Sequence, residues 1–297
     1  MGEVVWARAV LMLIRKGVDC GLTTAVTLAS VIALVPLFSI LLYVTYKGLG
    51  TVLTGGLSIF TELPPPPMVE GGGLGPAIVG TLIVVSIGAA ISIPIGIMSA
   101  IYLSEFSAGE PIAYWIRFFT NVLAGVPSII AGVFSFGLIV LTTKTFSAVA
   151  GGAALSVLMV PVITLATEEA LRLVPQDMRQ AAYGLGSTSL QTVTKVVLPT
   201  ALPTIVTGIT LAIARAAGET APLIFTALFS QFYLPFDTEG PGALFNQPIA
   251  SLSVLIYNFA LVPFENQQKM AWAASLVLLG MVLISSIIAR TATRRNM

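Results

Sequence analysis

Between Asp19 and Lys47 the sequence runs the length of a membrane span without a charge, and the heart of that stretch, TLASVIALVPLFSILLYV, is almost wholly apolar. A helix needs about 20 such residues to cross about 30 Å of hydrocarbon. The same charge-free pattern recurs along the chain. Residues 71–104 lie between Glu70 and Glu105, and residues 118–143 and 145–167 are parted only by Lys144, as in a short hairpin between two spans. A fifth stretch starts at Pro199 and reaches residue 227, interrupted by Arg215 and Glu219; a sixth, 270–289, is bracketed by Lys269 and Arg290. Lipid offers the backbone no hydrogen-bond partners, so each segment must be helical. The expectation is an all-α polytopic membrane protein with six transmembrane helices at about 23–46, 77–103, 118–143, 145–167, 199–227 and 270–289. Only 9% of residues are charged, against about 25% in a soluble domain.

The few charges set the topology. Arg8, Arg15, Lys16, Arg117, Arg172, Arg179, Lys195, Arg290, Arg294 and Arg295 fall on one side of a six-span arrangement, and only Lys47, Lys144 and Lys269 on the other; Arg215 lies within a span. Basic residues accumulate on the cytoplasmic side, so the N- and C-termini are expected there. The acidic, proline-rich ELPPPPMVE (62–70) then lies outside as a stiff connection, as does the long loop 229–268. Within that loop, PIASLSVLIYNFALVPF (248–264) is too short for a full crossing and reads as re-entrant or interfacial. Residues 1–19 are expected to form an N-terminal amphipathic helix at the interface, with Trp6 among the headgroups, and residues 20–297 the six-span domain. The apolar run 9–14 is too short for a signal peptide and ends in Arg15 and Lys16 without a cleavage site, so no removal is expected.

Several functions are excluded early. The chain has no histidine and a single cysteine, Cys20, so disulfides, Cys/His metal sites and imidazole chemistry are out of reach. Lys+Arg number 14 against 13 Asp+Glu, which is no nucleic-acid signature. No phosphate-binding G-x-x-x-x-G-K-[ST] loop occurs. The chain is not expected to be an enzyme or to bind a cofactor or metal; energy has to come from elsewhere.

One cytoplasmic loop, 168–198, is long and patterned: EEALRLVPQDMRQAAYGLGSTSLQTVTKVVLP ends at Pro199. Leu171, Val174, Met178, Ala182 and Leu185 recur at helical spacing, which predicts a short amphipathic helix pair broken at Gly184 and Gly186. An apolar helix face in the cytosol needs a partner.

Gln180-Ala181-Ala182, then Gly186, then Val196, Leu198 and Pro199 resemble the EAA loop of ABC-importer permeases, E-A-A, three residues, G, nine residues, I-x-L-P, with Gln180 and Val196 as departures. Gln180 lacks the charge of the usual glutamate, and Glu168 and Glu169 stand nearby as substitutes. The segments GAAISIPIGIMSAIYLSEF (88–106), NVLAGVPSIIAG (121–132) and AIARAAGETAPLIFTA (212–227) resemble the membrane subunits of phosphate importers, and Glu219-Thr220-Ala221-Pro222 the A-type branch. The resemblance covers residues 77–289. It implies a type I ABC importer permease (MetI-like) fold in the plasma (inner) membrane, and a permease subunit of an ATP-driven importer for inorganic phosphate. The implied partners are a homologous C-type permease, two ATPase subunits that bind ATP and Mg, an external phosphate-binding protein and membrane lipid. By the same resemblance Gln180, Ala181, Ala182, Gly186, Leu198 and Pro199 couple to the ATPase.

Ionisable groups inside a membrane face a bundle interior or an aqueous path. From Pro199, about 1.5 Å per residue puts Arg215 about 24 Å along its helix, in the outer part of the membrane. Its planar fork suits phosphate oxygens, and Glu219, four residues on, could hold it between turnovers. Alternatively the pair orients helices, within the chain or against a sister subunit. Thr220 adjoins them. Asn121 and Ser128 flank the Gly125-Val126-Pro127 break in the third span, which reads either as a gate or substrate-lining bend or as a packing kink; Pro94 and Gly96 pose the same choice. Permeases for molybdate, tungstate or sulfate, a stand-alone anion channel, and an intramembrane enzyme built on Arg215 and Glu219 are the competing functions.

Overall fold

A computed structural model describes residues 2–107 and 110–294, with 2–15, 17 and 292–294 as backbone only. The anchoring expected of Trp6 concerns a side chain outside the described residues. The described residues are helical, with turns and loops between. Five helices are long and apolar enough to span a membrane, and a bent pair supplies a sixth.

Helix α1 runs unbroken over Gly2–Gly55. No proline or turn pair separates residues 3–16 from the first span, so nothing ends the helix at the expected boundary near residue 19. Helix α2 (Gly75–Phe106) follows the proline-rich connection. The third span is two helices, α3 (Pro111–Gly125) and α4 (Ser128–Thr143), bent by 107°. Val126, ahead of Pro127, is forced into extended backbone at ψ 128°, so the helix stops there. This is a break rather than a kink. Lys144, in the left-handed conformation at φ 58°, turns the chain into α5 (Ala148–Arg172), whose first turn is capped by Ser147. Helix α6 (Gln176–Gly184) and α7 (Ser189–Gly218) absorb most of the 168–198 loop. The fifth span ends at Gly218, short of the expected residue 227; Glu219 is extended at ψ 125°, and the short α8 (Ala221–Thr226) follows. Helices α9 (Leu252–Leu261) and α10 (Glu265–Arg294) complete the chain.

Helix α5 is the centre of the bundle and packs along α2, with α7 on its other side. In lipid, helices associate by close packing rather than by exclusion of water, and small residues let backbones approach. At the α2–α5 crossing a Cβ on Gly88 would lie 3.1 Å from the Gly152 carbonyl oxygen and 3.2 Å from Leu155 Cβ. Gly96 is also a packing position, with a Cβ there 2.7 Å from Ile163 Cγ2.

The 248–264 segment folds back against the bundle. The Leu252 amide donates to Thr81 Oγ1 at 2.9 Å, well inside the bundle, and Leu252, Leu255 and Phe259 are buried. The far end of α9 returns to the level of the proline-rich loop, where Gln268 donates to the Val262 carbonyl and Gln267 to that of Pro65. Its length, about 15 Å at 1.5 Å per residue, is half a crossing.

Candidate functional site

Two sites stand at different levels of the bundle. The first is the α6 turn. Helix α5 ends and the chain breaks at Pro175 before α6 begins, which resets the phase of the apolar stripe expected over 171–185. Leu171, Val174 and Ala182 face inward and are buried, whereas Met178 is exposed and Leu185 is 89% exposed, so the five residues do not form one buried face. Gly186, at φ +83°, closes α6: its amide donates to the Tyr183 carbonyl and that of Ser187 to Ala182. Glycine adopts this conformation without the strain that most side chains meet. Thr188 and Gln191 then form a reciprocal capping box that starts α7. Gln180, Ala181 and Gly186 are exposed, Leu198 is half-buried and Pro199 exposed. Tyr183, Leu185 and Leu190 add an apolar surface around the turn that no described residue covers.

Beneath that surface lies a polar junction that sequence reasoning missed. Glu168 is not available to a partner. It is buried and accepts from Arg117 Nη2 at 3.1 Å and Arg172 Nη2 at 2.7 Å. Glu169 alone of the two faces outward. Arg117 also donates to the Leu103 carbonyl at the end of α2. Arg179, on α6, pairs with Glu105, also at the end of α2, and donates to the Leu171 carbonyl of α5 at 2.8 Å. Two arginines thus each bridge α2 and α5. The signal available in the sequence was the placement of Glu105 and Glu168 at the ends of apolar spans, but their partners lie 74 and 51 residues away.

The second site is the break between α7 and α8. Arg215 Nε lies 3.5 Å from Glu219 Oε1; the arginine side chain is 55% exposed and that of the glutamate 16%. The helix stops at Gly218, Glu219 is extended, and its carbonyl accepts from Ser253 Oγ of α9 at 2.9 Å. Thr220 caps the start of α8 and accepts at its carbonyl from the Leu223 and Ile224 amides. Helix α8 packs on α4, so close that a Cβ on Gly132 would meet Pro222 Cα at 2.6 Å. Ser128 is one turn before Gly132, at the start of α4. The short α8 therefore lies beside α4, the second half of the broken third span. Asn121 is set apart, lining a groove of about 450 Å³ with Glu110, Tyr114 and Arg117. Arg215 itself opens onto the outside of the bundle, and among the described residues no group of carboxylates and thiols could hold a metal.

The family of binding-protein-dependent transport system inner membrane components matches residues 92–296. The chain is 42% identical over 234 residues to the phosphate transport system permease protein PstA of Yersinia pestis, covering 79% of this chain and 77% of that one. Among solved structures it resembles, at 17% identity, a bacterial alginate ABC transporter in complex with an alginate pentasaccharide-bound periplasmic protein; the TM-score is 0.60, covering 90% of this chain and 93% of the other. It also resembles the MetNI methionine ABC transporter in an inward-facing conformation, with TM-score 0.55 and 20% identity over 76% of this chain and 94% of that one. These likenesses carry the fold of an importer's membrane subunit.

Proposed function

The chain belongs to the family of binding-protein-dependent transport system inner membrane components, and from that premise we infer that it moves inorganic phosphate as the permease subunit of an ATP-driven importer. Its likeness to the PstA permeases, at 34–42% identity over most of the chain, supports phosphate as the substrate. It is a multi-pass inner-membrane protein. The termini face the cytoplasm, a reading supported by the basic residues gathered at the α6 end.

The observation that carries the mechanism is the exposure of Arg215. A substrate-contacting arginine in a membrane is expected to face a path, yet this one faces out of its own bundle. The chain supplies half of a path, and a homologous permease supplies the other half. Helix α1, exposed through most of its apolar length, offers further surface to the same partner. Arg215, Glu219 and Thr220, with Ser128 on the adjoining α4, line the half-path; phosphate oxygens exchange with the Glu219 carboxylate for the guanidinium, so the anion is held without being trapped. Asn121 lies in the groove beside Arg117, at the cytoplasmic end of the route.

The turn around Gly186 seats on an ATPase, with Gln180, Ala181 and Ala182 on the α6 side and Leu198 and Pro199 on the α7 side. Its support is the apolar surface led by Leu185. Two ATPase subunits bind ATP and Mg, a binding protein delivers phosphate from outside, and the chain itself performs no hydrolysis. Closure of the ATPases displaces the turn and rocks the bundle between two packings. Reconstitution with the co-encoded subunits into vesicles tests this reading: ATP-dependent uptake of labelled phosphate is expected, and uptake that persists without any ATPase overturns it.

A further inference from the structure

Displacement of α6 can move the bundle only if α6 is joined to it, and the apolar contacts of this nine-residue helix are few: Ala182 is its one buried residue. Something else must hold it. Arg179 projects from α6 away from the exposed face, its side chain 11% exposed, onto a Glu105 side chain that is 7% exposed. Glu105 Oε1 also accepts from Ser104 at 2.9 Å, which fixes the carboxylate at the end of α2. The second amino group of Arg179 reaches the Leu171 carbonyl of α5, and its Nε is buried without a partner among the described residues.

Such a pair is a poor way to gain stability. Taking two charges out of water carries a desolvation penalty that their attraction barely repays, and an unmatched Nε adds to it. Its value lies in geometry, because a planar guanidinium that bonds α2 and α5 together transmits both push and rotation, where a greasy contact would slide. The Arg117 bridge ties α2, α3 and α5 at the same level and leaves α6 out. Arg179 is the only charged connection from α6 to the bundle among the described residues.

We propose that Arg179, clamped between Glu105 and the Leu171 carbonyl, is the positioning residue through which movement of the α6 turn is delivered to the α2–α5 pair. The proposal rests on the importer reading above. It is tested in vesicles containing the full complex, with wild type, Arg179→Met, Glu105→Gln, Arg179→Lys and the exchanged pair Glu105→Arg with Arg179→Glu, by measuring ATP hydrolysed and phosphate taken up in the same sample. Arg179→Met and Glu105→Gln are expected to assemble and hydrolyse ATP while uptake falls, raising the ATP spent per phosphate by about tenfold, within the range of ordinary coupling energies. Arg179→Lys, which keeps the charge and loses the second bond, is expected to lie between, as is the exchanged pair, which restores the ion pair but leaves the Leu171 carbonyl without its donor. An unchanged ratio in Arg179→Met and Glu105→Gln overturns the proposal, whether uptake stays normal or falls in step with hydrolysis. So does failure of every variant to assemble. Absence of ATP-driven uptake in the wild type would instead overturn the importer reading.

Discussion

Arg215 holds its Nε 3.5 Å from Oε1 of Glu219, across the point where α7 ends. The contact engages only Nε of the arginine, whose side chain is 55% exposed, so the guanidinium is left open to a further partner. Arg215→Gln is expected to abolish phosphate uptake by the assembled complex while ATP hydrolysis continues. Normal uptake would remove Arg215 from the path, and loss of assembly would assign it to helix orientation.

Leu185 touches almost nothing of its own chain. Leu185→Asp should leave the thermal unfolding of the detergent-purified permease within about 0.5 kcal/mol of wild type, yet the ATPase should no longer co-purify. An intact complex would show that the apolar surface of the turn is not the docking face.

Gly186 sits at φ +83°. Alanine there has to adopt a left-handed conformation at a cost of about 1–2 kcal/mol, which asparagine largely avoids. Phosphate uptake should therefore fall in Gly186→Ala and survive in Gly186→Asn. Equal activity in the two would mean that the turn changes shape when it is seated.

Glu168 gathers Arg117 and Arg172 onto one carboxylate. Glu168→Ala should destabilise the purified protein by about 1–3 kcal/mol, toward the lower end because both arginines can turn to solvent. Glu168→Gln, which keeps the shape of the acceptor, should lose less. The midpoint of thermal unfolding in detergent distinguishes them.

At the α2–α5 crossing, Gly88→Val crowds its neighbours, with the Gly152 carbonyl oxygen 3.1 Å from the first added carbon and further methyls to place. A loss of about 1–3 kcal/mol is expected, seen as a lower unfolding midpoint. Gly184→Ala, with nothing within 4 Å of the new carbon, serves as the control.

The spans were legible because membrane burial acts on each segment separately: a run such as 145–167 shows its fate by having no charge. The break at Val126 was legible in part, since Pro127 marks where a helix cannot continue in phase; that at Glu219 was not, because 199–227 reads as one span with Arg215 and Glu219 on a single helix face. The angle of 107° at Val126 was not, because a proline dictates that a helix stops and leaves its next direction to the neighbours. Glu105 with Arg179, and Glu168 with Arg117, escaped notice for a related reason. Each pair joins residues far apart in the chain, and nothing local distinguishes Arg179 from the other basic residues of the chain. The apolar stripe from Leu171 to Leu185 misled because one helical period was run through Pro175, where the backbone starts afresh.

From Val18 to Ile40 every described side chain of α1 is exposed, and the helix meets its own bundle only toward its end, where Tyr43 lies edge-on to Trp272 at 5.1 Å and Gly48 abuts the backbone of α10. It is tethered like a mast stepped at one end. A copy made in excess of its neighbours would leave that mast bare in the bilayer, so the abundance of this chain is expected to follow that of whatever comes to lie against it.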